Sequence, residues 1–157
     1  MELRTPAEVV ALIRSRVLRV RTGLWLMPNA YIGHETDEAV RLRLEAVDLR
    51  QVWLKTLPEG TRFIGLTPDK LIEVLDRIIQ KPGDSDCVLA YNMDLFLAHL
   101  KQAERKTVWE SLFNALPHRT QGLLMVMPQT AHDLLPTPRQ LNLWGREQRL
   151  AGTDSVI

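Results

Sequence analysis

The chain has a single cysteine, Cys87, among its 157 residues. No internal disulfide can form, which suits a reducing compartment. No apolar run approaches the ~20 residues of a membrane span. The opening Met1-Glu-Leu-Arg-Thr-Pro6 lacks the apolar core of a signal peptide. The expectation is a cytoplasmic protein without a membrane partner. An excess of one charge sign is missing too. The net charge is +1, so the field of the whole molecule argues neither for nucleic acid nor for an acidic partner. Lysine is scarce: Arg outnumbers Lys 15 to 5, and the first Lys is Lys55. Familiar catalytic motifs are missing as well. His34, His99, His118 and His132 have no metal-ligand spacing, and His34-Glu35 lacks the second His of H-E-x-x-H. There is no G-x-S-x-G elbow. Cys87 sits in an apolar run, a poor setting for a nucleophile.

What is present is the composition of a globular domain, 45% hydrophobic and 25% charged. No repeat, low-complexity block or linker divides the chain. Residues 1–151 read as one domain, and 152–157 as a loose tail. Helix starts recur as Thr5-Pro6, Thr67-Pro68 and Thr137-Pro138, with Glu8 and Gln140 completing capping boxes. Val9, Val10, Ile13, Val17 and Val20 share a helical face. Arg14 and Arg21 flank it on one side, Arg16 and Arg19 on the other. That edge reads either as a solvated rim or as a basic surface for nucleic acid. Short apolar runs at Gly23–Met27, Thr61–Leu66, Cys87–Tyr91 and Gly122–Met127 read as strands. Glu45–Val47, ending at Asp48, reads as a strand or as continued helix. Amphipathic stripes surround these runs, notably Leu71 to Ile79 and Val108 to Leu116. Ala131 to Leu135 suggests a short helix, and Leu141 to Leu150 a final one. Trp25, Trp53, Trp109 and Trp144 fall in apolar patterns and read as core. Strands alternating with helices predict an α/β fold with a mostly parallel central sheet flanked by helices.

Ligands in such a fold lie beyond the carboxyl ends of the strands. A phosphate loop there needs small residues, a Lys and a hydroxyl, as in G-x-x-x-x-G-K-[ST]. After the first strand this chain has Pro28-Asn-Ala-Tyr-Ile-Gly33-His34-Glu35. Only Gly33 matches. Pro28 removes an N–H, His34 replaces the Lys, and Glu35 replaces the hydroxyl, with Thr36 one residue later. The loop is altered by about two charges in the wrong direction. At ~4 Å and an effective dielectric of ~20, each charge is worth a few kcal/mol. Asn29, Gly33, His34 and Thr36 are therefore the residues of a degenerate cofactor loop. Asp94 is the candidate metal-binding or catalytic acid, with Asn92 beside it. Capping and turning the chain are the alternative roles for this pair. Tyr91 stands where a magnesium acid is expected, and a phenol is a poor ligand for that hard cation.

Val88-Leu-Ala-Tyr-Asn-Met-Asp-Leu-Phe-Leu97 resembles the V-L-L-D-N-I-E-L-L-F strand of the small P-loop protein of BREX phage-defence systems. That family is similar to a pared-down AAA-type ATPase domain. Asn92 matches its Asn and Asp94 its second acid, while Tyr91 replaces its first acid. The spacing from this strand through a helix to Arg119-Thr120 and a terminal strand is also similar, and the layout resembles the family over roughly residues 20–130. The resemblance implies a P-loop-like fold with a degenerate phosphate loop and a non-hydrolysing relative. It would serve as an assembly or regulatory subunit of a multi-protein defence complex. Three functions follow as expectations. The first is a non-catalytic interaction module that binds protein partners or self-associates and needs no cofactor. The second is a regulator that binds ATP and magnesium through an atypical loop. The third is an accessory protein touching DNA through Arg14, Arg16, Arg19 and Arg21.

Overall fold

A computed structural model describes residues 3–56, 66–80, 86–114 and 121–152, the side chains of 54–56 excepted. Helix α1 (Pro6–Ser15) starts with both halves of its capping box in place. Strand β1 (Thr22–Met27) leads into a single 3-10 turn at Asn29–Tyr31 and then helix α2 (Glu35–Leu42). Strand β2 (Glu45–Asp48) runs directly into helix α3 (Leu49–Thr56). After helix α4 (Pro68–Gln80) come strand β3 (Cys87–Tyr91), helix α5 (Met93–Leu97) and helix α6 (Gln102–Asn114). Strand β4 (Gly122–Pro128), helix α7 (Pro138–Arg146) and strand β5 (Leu150–Ala151) complete the described chain.

The five strands form one sheet in the order β2-β3-β4-β1-β5. Every pairing is parallel. Alternate strand residues enter two apolar layers, as the period of two requires. Leu24, Val88, Ala90, Leu123 and Met125 face α3 to α7, packing with Leu75, Phe96, Leu112 and Trp144. Trp25, Cys87, Leu89, Leu124 and Val126 face α1 and α2, packing with Val9, Ile13 and Ala39. A fully buried Leu or Ile in either layer contributes ~1.5–3 kcal/mol. Helix α1 lies close on the sheet because β4 begins with glycine: a Cβ at Gly122 would stand 2.1 Å from Ile13 Cγ2.

The chain leaves β1 through α2 on one face and leaves β4 through α7 on the other. Adjacent strands whose connections part in this way open a crevice at their carboxyl ends. The loop after Met27 and the turn after Pro128 occupy its two sides.

The structure corrects several expectations. Helix α1 stops at Arg16, whose φ of 64° is left-handed. The Ser15 hydroxyl meanwhile bonds the Leu12 carbonyl at 2.7 Å. The stripe from Val9 therefore does not reach Val20 as helix. Val17 is exposed, and Val20 enters the core on the other side of the sheet. Residues 131–135 form turns rather than a helix. The final helix ends at Arg146, and a left-handed Gln148 (φ 60°) redirects Leu150 into β5. Glu45–Asp48 is strand, not continued helix. Gly152 is buried and donates its N–H to the Arg4 carbonyl at 3.1 Å. The strand expected at Thr61–Leu66 falls, except for Leu66, outside the described residues, as does 153–157. Among the described residues, no helix is long and apolar enough to cross a membrane.

Candidate functional site

The loop after β1 is folded on itself. Tyr31 N–H donates to the Pro28 carbonyl at 2.9 Å, Ile32 N–H to Asn29 at 3.1 Å, and His34 N–H to Tyr31 at 2.9 Å. Gly33 takes φ 93°, a conformation that glycine adopts readily. Its N–H donates to both oxygens of the Glu35 carboxylate, at 2.8 and 3.1 Å. Glu35 is only 8% exposed. Four successive N–H groups, Tyr31 to His34, are thus all engaged inside the chain. A phosphate cradle needs such groups free and convergent. Here one of them already holds an anion, and that anion is a side chain of the same loop.

The neighbouring charges reinforce this. The first turn of α2 carries Glu35, Asp37 and Glu38. Acids there complement the positive end of the helix dipole that would otherwise attract phosphate. His34 Nδ1 lies 3.5 Å from the Asp37 carboxylate and is exposed. Thr36 is likewise exposed. Asn29 Oδ1 accepts from the Thr130 hydroxyl at 3.1 Å, joining the loop to the turn after β4. Gln129 N–H bonds the Met27 carbonyl at 2.9 Å in the same join.

Strand β3 ends two positions away across the sheet, with β4 between. Asn92 is left-handed (φ 69°), and its amide donates to Asp48 Oδ1 at 2.8 Å. Asp48 also accepts from Arg50 N–H at 3.0 Å. These bonds tie the ends of β2 and β3 together. Burial pushes the Tyr91 phenol above its ordinary value, and the charges of Asp48 and Glu35 push it further. Asp94 is half-buried, and its carboxyl is raised by burial. Hydrogen bonds from its own N–H and that of Leu95 oppose the rise. Both of those N–H groups lie in the first turn of α5. Among the described residues no three His, Cys, Asp or Glu side chains gather as a metal site. At this edge the Gly33 N–H is held by Glu35 and the first turn of α2 is acidic, so the loop as it stands presents no free N–H from Tyr31 to His34 to a phosphate.

The arginines of the expected basic edge lie elsewhere. Arg14 bonds Asp86 at 2.8 Å and the carbonyls of Leu42 and Arg43, so it fastens α1 to the end of α2 and the start of β3. Arg21 is buried and donates to the Ile13 carbonyl at 2.9 Å and that of Asp86 at 3.3 Å. Both stand at the amino-terminal end of the strands, opposite the loop. Arg19 pairs with Glu147 at 2.8 Å and lies 4.8 Å from the centre of the Phe113 ring. Arg16, at the end of α1, is exposed. They do not line one helix edge, because α1 (Pro6–Ser15) ends before three of the four. Arg119 falls outside the described residues.

Two features escape a reading of the sequence. One is Glu35 as the internal ligand of Gly33, although an acid two residues after the loop glycine signals it. The other is Arg149, which is completely buried. It donates to the carbonyls of Thr22 and Phe113 at 2.7 and 3.1 Å, to the Thr22 hydroxyl, and to Glu147 at 2.9 Å. Burial lowers its pKa to about 10, with Glu147 opposing. No sequence pattern announces a fully buried Arg.

Comparison with known proteins finds no matching family model and no significant match to a curated protein or a solved structure.

Proposed function

We propose that this chain is a non-catalytic, P-loop-like interaction subunit whose nucleotide position is filled by its own Glu35 carboxylate. The observation that carries this reading is the double acceptance of the Gly33 N–H by Glu35. The sheet order supports it. The loop follows β1, the strand ending in Tyr91-Asn92 lies one strand beyond β4, and both open on the same carboxyl edge. In an open parallel sheet that edge is where ligands bind. Here the layout is combined with side chains that resist phosphate. A domain that retains this layout without a free phosphate site is suited to assembly rather than to hydrolysis.

By analogy with the resemblance at Val88–Leu97, the complex it serves is a prokaryotic phage-defence assembly. Co-purification with the products of neighbouring genes tests the interaction role. A complex of defined stoichiometry, equally stable with and without ATP and magnesium, is expected. A chain that remains alone, or a complex that forms only with nucleotide, contradicts the reading.

A further inference from the structure

Helices α6 and α7 meet where the Gln140 amide donates to the Lys106 carbonyl at 3.2 Å, and they part beside that contact. Between them lies a groove of about 280 Å³. Leu143, 39% exposed, is its open apolar side chain; Trp109, Phe113 and Trp144 form the floor beneath with less than a tenth of each exposed, and the rims carry Lys106, Glu110 and Arg139. Phe113 and Trp144 pack with centroids 5.2 Å apart. Arg149 lies 4.6 Å from the Phe113 centroid and 4.5 Å from that of Trp144, and Arg19 lies 4.8 Å from Phe113. These two guanidiniums share one carboxylate, Glu147. Above it, the Lys106 ammonium and the Arg139 guanidinium have no hydrogen-bond or ion-pair partner among the described residues, and both are exposed. The aromatic pair is already polarised by cations, so a cationic guest gains little. An anion meets two cations on the rim, Lys106 and Arg139, against the one carboxylate of Glu110.

We infer that this groove binds a small organic anion, with its phosphate or carboxylate between Lys106 and Arg139 and an aromatic or short alkyl body packed on Leu143. The volume suits a body of about ten to fifteen heavy atoms, at the small end of ligand pockets. This site is on the α6/α7 face and does not rest on the reading of the loop after β1. Charge sets the head group and Leu143 sets the body, so inorganic phosphate alone binds more weakly than an aryl phosphate.

Titration of the full chain with 1-naphthyl phosphate, 1-naphthoate and neutral 1-naphthol, followed by amide chemical shifts, tests the assignment. At least one of the two anions is expected to saturate. The shifts should fall on 106–114 and 137–144, with naphthol at least tenfold weaker. The exposed double variant Lys106→Glu/Arg139→Glu should weaken anion binding at least tenfold at unchanged melting temperature, and Glu110→Gln should strengthen it. Absence of saturable shifts, shifts centred elsewhere, equal binding of naphthol, or indifference to the charge reversal overturns the assignment. Should the double variant unfold, the single variant Arg139→Gln and the naphthol comparison decide the matter.

Discussion

The Glu35 carboxylate holds the Gly33 N–H through both of its oxygens, at 2.8 and 3.1 Å. A hydrogen bond to a charged group contributes roughly 1.5–3 kcal/mol when it is lost from a buried setting. Glu35 is nearly buried while Gly33 is exposed, so the freed N–H is hydrated and the lower part of that range applies. Glu35→Ala is expected to destabilise by about 1.5–2 kcal/mol in urea unfolding. Glu35→Gln keeps an acceptor oxygen and should lose less. Equal stability of wild type and Glu35→Ala would remove the structural role of this contact.

Asn92 combines a left-handed backbone with the 2.8 Å bond to Asp48. Two variants separate these contributions. Asn92→Gly keeps the backbone at ease and loses only the side-chain bond, about 1 kcal/mol. Asn92→Ala loses the bond and adds ~1–2 kcal/mol of left-handed strain. Chemical denaturation should rank wild type above Gly and Gly above Ala. A ranking with Ala at or above Gly contradicts the backbone argument.

Arg149 is the most demanding side chain in the fold. Its removal leaves the carbonyls of Thr22 and Phe113 without their donor and opens a cavity against Trp144. Arg149→Ala should destabilise by about 3–5 kcal/mol, the range for breaking a buried charged network. Loss of the cooperative unfolding transition is the same outcome in a marginally stable host. A change below about 1 kcal/mol would show the network to be dispensable.

Two carboxylates should oppose one another in acid. The hydrogen bond from Arg14 holds Asp86 below its ordinary value of 3.8. Its contribution is therefore present above that value and is lost as pH falls through the folded pKa. Burial holds Asp94 above the same ordinary value of 3.8. Its ionisation opposes folding, so that penalty grows as pH rises from 3.8 through the folded pKa. Asp86→Asn should flatten the acid loss of stability. Asp94→Asn should remove the opposing penalty and be as stable as wild type, or more so, at neutral pH. Thermal unfolding from pH 3 to 7 reads both, and slopes changed in the same direction by the two variants contradict the assignment.

How much of this was legible depended on how local each cause was. Thr5-Pro6 and Thr137-Pro138 announce capped helices because the bonds lie within three residues, and both capping boxes form. Cys87–Tyr91 and Gly122–Met127 read as strands because the central positions of a parallel sheet are apolar on both faces. The α/β class followed from their alternation with helices. The end of α1 was not legible. Val17 and Val20 continue its period, the left-handed Arg16 breaks it, and what holds the far side lies distant in sequence: Arg21 with Asp86, and Val20 with the opposite layer. β5 was hidden for the same reason, since two residues paired to β1 carry no period of their own. In the site, the missing Lys after Gly33 was evident. That Glu35 turns back onto Gly33, and that Asn92 reaches Asp48 across 44 positions, are facts of tertiary geometry.

Calorimetric titration of the wild-type chain with ATP and magnesium, alongside Asp94→Asn, tests the central claim most directly. An engaged loop and an acidic first turn on α2 predict no saturable binding up to about 1 mM, a limit near −4 kcal/mol of binding free energy. Micromolar binding to the wild type that Asp94→Asn abolishes would contradict the account and make this chain a working nucleotide site.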